Sequence, residues 1–241
     1  MTAAKRSVPP LVLGITGMMC AGKSTIAKLL VEADIPVYDA DSRVKALYDV
    51  PEVRNTIEKE FIPKKKYFYK GGLFDKQAAI SYIFSEAKPD SIEEFEANET
   101  KRLLENILMP FIEKDFKNFI QMNSGANMVG FESATLLTMK HICERMNYII
   151  WVEAKRETLL KRAFERNGFT EKMYDSRMRP VMDNMRHSYF AKGWYNISFK
   201  IKNEDGTTLG ELREQIYNYL KSSSGFFTTP TRVFNIPLFS L

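Results

Sequence analysis

A stretch near the start of the chain has the residue types and the spacing of a phosphate-binding loop. Residues 17–24 read G-M-M-C-A-G-K-S, which fits the pattern G-x-x-x-x-G-K-S. Glycines let the backbone curl so that successive N–H groups point at one anion, and the start of a following helix adds positive potential. In this pattern the Lys reaches the β- and γ-phosphates and the Ser hydroxyl ligates Mg²⁺. The residues predicted to form this nucleoside triphosphate site are Gly17, Cys20, Ala21, Gly22, Lys23 and Ser24.

Acidic residues follow two other apolar runs and are the candidates for the remaining chemistry. Asp39 and Asp41 follow residues 35–38, and Glu132 follows residues 127–131. Ligands of an open α/β sheet bind at the carboxyl ends of its strands, which is where these acids would lie. One of the two aspartates could accept a proton from an attacking hydroxyl or hold Mg²⁺ through water, and Asp41 could instead cap the next helix. Glu132 has the position of the acid that many phosphate-loop proteins place on the Mg²⁺ side.

Strand and helix patterns alternate along the chain and would position these side chains. Strands are predicted over residues 11–16, 35–38, 127–131, 148–152 and 197–201, the last as a half-buried edge strand. Helices are predicted over residues 25–30, 42–48, 136–145, 156–165 and 208–220. This alternation predicts an α/β fold in which a parallel sheet of about five strands is flanked by helices.

Other stretches predict additions to this core. Residues 51–74 are expected to be a polar connection, and apolar spacing from 74 to 122 predicts helices that Pro110 interrupts. Residues 169–190 carry several arginines, which fits either a mobile lid that neutralises a phosphoryl group or a basic surface helix. The predicted parts are a nucleotide-binding core over 11–50, 126–165 and 191–221, a helical substrate-binding insertion over 51–125, a lid over 166–190, and a tail over 222–241 without an assigned role.

Composition bounds the class of protein. The 241 residues carry a formal net charge of +5 from scattered basic residues, which suits anionic substrates without arguing for a nucleic-acid partner. No apolar run reaches membrane-spanning length, residues 1–10 lack the apolar region of a signal peptide, and two cysteines are too few for a disulfide framework or a zinc site. We therefore expect a cytoplasmic protein. At Cys20 we favour a small tolerated side chain over a thiol whose pKa the helix terminus lowers.

Taken in order, these pieces resemble the dephospho-CoA kinase family across residues 11–220. The stretches that carry the resemblance are G-I-T-G and A-G-K-S-T within 14–25, I-P-V-Y-D-A-D at 35–41, F-D-K at 74–76, L-E-N-I-L-M-P at 104–110, F-E-S-A-T-L-L at 131–137, R-N-G-F at 166–169 and N-E-D-G-T-T-L at 203–209. The resemblance implies a P-loop kinase fold, ATP and Mg²⁺ as cofactors, and transfer of the γ-phosphoryl group to the ribose 3′-hydroxyl of dephospho-CoA.

The same resemblance implies roles for individual residues. Asp41 would be the base or the group that orients the acceptor hydroxyl, and Lys23 would hold the phosphates during transfer. Arg166 would be a contact from the lid to phosphate. Thr16 and Thr25 would lie beside the phosphates at the two ends of the loop.

On the acceptor side the resemblance points to Lys76 and Glu132, and there the chain also departs from the family. The family usually has Arg where Lys76 stands, His where Met109 stands, and Pro where Ala134 stands, and a lid Gln is replaced near Val181. Lysine keeps the charge of arginine but loses its bidentate fork. These departures leave the acceptor specificity open. The sequence does not indicate an oligomeric state. Two alternatives also stay open, which are a nucleoside or nucleotide kinase of the same architecture and a nucleotide-binding protein without catalysis.

Overall fold

The apolar runs form the strands of the computed structural model, which describes residues 9–60, 69–70, 73–75, 92–184 and 198–223. The strands are β1 (Leu11–Gly17), β2 (Val37–Asp39), β3 (Tyr69–Lys70), β4 (Leu73–Phe74), β5 (Met128–Glu132), β6 (Tyr148–Glu153) and β7 (Phe199–Lys202). Five of them pair in parallel in the order β2-β5-β1-β6-β7, and β3 and β4 form a separate antiparallel pair. The predicted parallel sheet is confirmed.

Burial along the strands follows their place in the sheet. Every residue of β5 and all but the first of β1 are buried, since parallel strands inside such a sheet are covered on both faces. β7 has one buried residue among four, as its predicted position at an edge requires. The phosphate-loop strand β1 is the middle strand of the order, so the loop leaves the sheet at its centre.

Helices lie between these strands along the chain and continue the predicted alternation. They are α1 (Lys23–Glu32), α2 (Ala40–Leu47), α3 (Pro51–Glu60), α4 (Ile92–Met122), α5 (Lys140–Cys143), α6 (Arg156–Asn167), α7 (Glu171–Asn184) and α8 (Leu209–Ser223), with a 3-10 turn at Leu136–Thr138. Ile26 and Leu29 of α1 share one apolar core with Leu13 and Ile15 of β1 and with Leu212 of α8. No helix within the described residues is long and apolar enough to cross a membrane.

Two expectations about the helical elements are wrong, one of a polar connection and one of a single helix. The expected polar connection at 51–74 begins instead with α3, which starts at Pro51 and buries Val53 and Ile57 one turn apart. A single helix over 136–145 is replaced by the 3-10 turn and the four-residue α5.

The expected interruption at Pro110 is also wrong, because α4 runs through it for 31 residues. A proline in a helix removes one backbone hydrogen bond. On either side of it α4 buries Ile107, Leu108, Ile112 and Phe116, and this packing outweighs the local cost.

The chain divides into two compact units, one of residues 1–39 with 117–241 and one of residues 40–116. The first holds the five-stranded sheet with α1 and the helices after α4. In the second, α2 and α4 are linked by an ion pair between Arg43 and Asp115 at 3.8 Å. The roles assigned to the insertion, the lid and the tail stay predictions. Residues 185–190 of the lid and 224–241 of the tail lie outside the described residues.

Candidate active site

The phosphate loop joins β1 to α1, and both of its glycines are required by close neighbours. A Cβ at Gly17, where φ is 144°, would lie 2.1 Å from the backbone oxygen of Val152. A Cβ at Gly22, where φ is 91°, would lie 2.1 Å from Nδ2 of Asn203. Real Cβ atoms essentially never approach a neighbour this closely. The backbone can therefore follow this path only with glycine at both positions.

The N-terminus of α1 is arranged to receive an anion. Its N-cap is Gly22, no side chain caps the helix, and its first turn contains no acidic residue. The first N–H groups of a helix lack partners inside the helix and carry the positive end of its dipole. Ser24 is exposed on this first turn, so its hydroxyl is accessible beside the same groups. These features fit a bound phosphate.

Lys23 places its charge inside the loop. The residue is buried, and its Nζ donates to the backbone oxygens of Gly17 at 3.3 Å and of Met18 at 2.9 Å. Both acceptors belong to the loop itself. The ammonium is therefore held where a phosphate cradled by the loop would meet it.

The pKa of the Cys20 thiol depends on burial and on the positive charges around the loop. Burial raises this pKa, while the positive charges of Arg166, Lys23 and Arg162 partly oppose that rise. The interpretation of Cys20 as a thiol whose pKa the helix terminus lowers is therefore wrong. The favoured interpretation, a small tolerated side chain, agrees with the half-buried thiol. Arg166 is exposed, and its charge lowers the pKa of a thiol inside the loop. This predicted phosphate contact therefore lies within electrostatic range of the loop.

The carboxyl ends of three strands meet beside the loop. The strand register aligns Glu132 of β5 with Ile15 of β1 and with Asp39 of β2. Glu132 is buried, as is Thr16, whose hydroxyl donates to the backbone oxygen of Ala134 at 3.5 Å. The segment after β5 is thus tied to the strand that carries the loop.

Thr25 lies in α1 and is half-buried. Asp41 and Lys76 are located differently. Asp41 is exposed in the first turn of α2, which begins at Ala40, so it lies inside the helix and not at its cap position. It belongs to the unit of residues 40–116, whereas the loop belongs to the other unit. Lys76 lies outside the described residues.

Three side chains to which the sequence analysis assigned no role hold the loop from outside. The Tyr174 hydroxyl donates to the backbone oxygen of Met19 at 3.2 Å, and the Met19 N–H donates to Sδ of Met178 at 3.5 Å. Asn203 donates through Nδ2 to the backbone oxygen of Ala21 at 2.8 Å. These partners are far away along the chain, and no local pattern in one sequence marks such contacts.

The described residues contain no group of three or more His, Cys, Asp or Glu that could hold a metal ion. Mg²⁺ in nucleotide sites is usually bound by one or two protein oxygens together with phosphates and waters. The exposed Ser24 hydroxyl beside the α1 N-terminus fits that smaller set.

Comparison with known proteins identifies the family. The family model described as dephospho-CoA kinase matches residues 11–202. The dephospho-CoA kinase of Clostridium perfringens is 28% identical over 90% of this chain and 97% of its own, and that of Bartonella henselae is 26% identical over 88% and 97%. The crystal structure of TT1252 from Thermus thermophilus shares the fold, with a TM-score of 0.65 and 22% identity over 90% of this chain and 98% of that one. This chain belongs to the dephospho-CoA kinase family.

Proposed function

We propose that this protein transfers the γ-phosphoryl group of ATP to the ribose 3′-hydroxyl of dephospho-CoA, giving coenzyme A and ADP. The observation that carries the proposal is the phosphate loop, in which the Lys23 ammonium lies against the loop carbonyls beside an uncapped helix N-terminus. Family membership supports the choice of acceptor, because relatives that cover nearly this whole chain are named dephospho-CoA kinase.

The mechanism divides the work among residues of this chain. The loop N–H groups and Lys23 hold the triphosphate, and Ser24 would bind the Mg²⁺ that offsets phosphate charge. Asp41 takes the proton of the acceptor hydroxyl, and the oxygen of that hydroxyl bonds to the γ-phosphorus. At the same time the bond from the γ-phosphorus to the β–γ bridging oxygen breaks. Arg166 neutralises charge on the phosphoryl group in transit. The proton ends on Asp41 and the leaving group is ADP.

A coupled ADP-release assay tests the acceptor. Dephospho-CoA is compared with a panel of nucleosides and nucleoside monophosphates at the same concentration of ATP and Mg²⁺. We expect turnover with dephospho-CoA. Turnover with a nucleoside or nucleotide alone would replace the proposal with the first alternative. Nucleotide binding without turnover of any acceptor would replace it with the second.

Asp41→Asn tests the proposed base, and Asp39→Asn is its matched control. General-base catalysis contributes about 10²–10⁴ to a rate, so Asp41→Asn is expected to lower kcat by at least about 100-fold. The dissociation constant of Mg·ADP, measured by calorimetry, should change little because the other unit holds the loop. A larger loss of kcat in Asp39→Asn than in Asp41→Asn would transfer the role to Asp39.

We also propose a cytoplasmic location without a membrane or nucleic-acid partner. Support comes from membership of a family whose named relatives are kinases of a small-molecule substrate. Fractionation of cells that express the full chain tests this location.

A further inference from the structure

Two neighbouring side chains of α7 hold a single residue of the phosphate loop. Tyr174 donates its hydroxyl to the backbone oxygen of Met19, and Met178 accepts the N–H of the same residue through Sδ. Tyr174 and Met178 are four positions apart, so they lie on one face of the helix. Both are buried, with 1% and 6% of their surface exposed. The two polar groups of the Met19 backbone are thus bonded to one helix outside the loop.

The loop needs such support because of the next residue. Cys20 has a φ of 63°, in the left-handed region that side chains with a Cβ disfavour. A glycine would adopt this conformation freely, so a loop that has cysteine there must be held in place by its surroundings. On the other side of Cys20, Asn203 holds the backbone oxygen of Ala21. The flanking residues on both sides of the unfavourable conformation are therefore fixed from outside the loop.

The support from α7 is itself well anchored. Burial is the main reason that the pKa of Tyr174 rises to about 12, so its hydroxyl keeps its proton and continues to donate well above neutral pH. At the start of the helix, Arg156 of α6 donates to Glu171 and to Asp175 at 2.8 Å each. The hydrogen bond to the Met19 oxygen thus comes from a side chain with a fixed protonation state on a tethered helix.

We propose that Tyr174, assisted by Met178, is a positioning residue that holds Met19 and so keeps the loop N–H groups arranged for the phosphates of the nucleotide. The inference rests on the proposed function only in that the loop binds a nucleotide. It makes no use of the acceptor. Tyr174 acts through Met19 and sets nucleotide affinity without taking part in the reaction.

Calorimetric titration with Mg·ADP tests the proposal on the full chain. Tyr174→Phe removes the hydroxyl and keeps the ring, so the fold is retained. Because a neutral hydrogen bond contributes modestly, we expect the dissociation constant to rise about two- to tenfold. Tyr219→Phe is the matched control, since Tyr219 is also buried in the same unit but stacks on Phe199 at a ring distance of 4.6 Å. It should leave the dissociation constant unchanged.

A second background separates positioning of the loop from general stabilisation of the fold. In Cys20→Gly the left-handed conformation carries no penalty, so adding Tyr174→Phe should raise the dissociation constant by less than about twofold. The same rise in both backgrounds would overturn the proposal, as would an unchanged dissociation constant in Tyr174→Phe alone.

The outcome is independent of the acceptor. If the unsubstituted protein binds Mg·ADP but does not phosphorylate dephospho-CoA, the proposed function fails and the Tyr174 comparison still decides the inference. If the unsubstituted protein does not bind Mg·ADP, the inference is overturned.

Discussion

At the scale of single residues, Gly22 is where the phosphate loop meets the loop after β7. Asn203 reaches Ala21 only because no side chain stands at Gly22, whose Cβ would fall 2.1 Å from Nδ2. Asn203 also donates its backbone N–H to the oxygen of Glu153 at 2.9 Å, so its backbone is fixed beside the loop. The shape of the nucleotide site therefore depends on glycine at position 22.

Gly22→Ala should abolish tight nucleotide binding. The alanine meets both an unfavourable φ and the Asn203 side chain, so the loop must shift away from its phosphate-binding path. We expect the dissociation constant for Mg·ADP, measured by calorimetry, to rise more than about tenfold, which corresponds to losing roughly 1.4 kcal/mol of binding.

Gly206→Ala is the control for backbone strain. Gly206 has a φ of 88°, nearly that of Gly22, but a Cβ there meets nothing within 4 Å. Its alanine variant should lose about 1 kcal/mol of stability and keep its affinity for Mg·ADP. Equal loss of affinity in both variants would show that strain alone, and not the clash with Asn203, explains Gly22→Ala.

The sequence predicted the phosphate loop but not the contacts that support it from outside. Lys23 and the N-terminus of α1 have the predicted arrangement because the motif is local and its geometry follows from glycine and helix physics. Tyr174 and Asn203 contact the loop from 155 and 182 residues away. A single sequence carries no local periodicity or spacing that relates such positions.

At the scale of elements, α7 is attached to α6 through Arg156. Its bonds to Glu171 and Asp175 hold the first turns of α7, the helix that bears Tyr174. The hydrogen bond from Arg156 lowers the pKa of Asp175 below its ordinary value of 3.8. The tether is therefore an acid-sensitive contact.

Asp175→Asn should weaken α7 at neutral pH and have little effect in acid. Since the folded-state pKa of Asp175 lies below its unfolded value, the carboxylate stabilises the fold fully above that unfolded value. This contribution is lost as the pH falls through the lowered pKa. We expect a lower urea midpoint than that of the unsubstituted protein at about pH 7, and a much smaller difference at about pH 3.

Glu214→Gln, at an exposed position of α8, is the control for loss of a surface carboxylate. It should change the urea midpoint little at either pH. A difference between Asp175→Asn and the unsubstituted protein that grows towards acid would contradict the assigned sign.

The elements that the sequence missed were decided by packing. The strands were predicted because continuous apolar runs bounded by polar residues have few other uses in an α/β fold. The helix α3 had a signal, Pro51 at its start and the pair Val53 and Ile57 one turn apart, which the surrounding polar residues obscured. Pro110 does not end α4 because buried residues on both sides keep the helix continuous.

At the scale of the whole molecule, ligand binding should raise stability by mass action. Mg·ATP binds the folded loop and not the unfolded chain, so at 100 times its dissociation constant it should add about 2.7 kcal/mol. Thermal unfolding monitored with and without Mg·ATP checks this. Lys23→Ala should lose most of the shift in unfolding temperature.

The metal ligand is tested in the same way. Replacing Mg²⁺ by a chelator should reduce the shift in unfolding temperature less in Ser24→Ala than in the unsubstituted protein. An equal reduction would remove Ser24 from the metal site.

The position of β1 in the middle of the sheet has a consequence for how the protein is made. β1 leaves the ribosome first, but both of its partners, β5 and β6, begin at Met128 and Tyr148, more than about a hundred residues later. At usual rates of synthesis this delay is on the order of ten seconds. During that time the nascent β1 has neither neighbour, and residues 40–116 emerge as a complete unit ahead of them. The completed phosphate loop therefore awaits these later strands, and the residues that hold Met19 and Ala21 are synthesised later still.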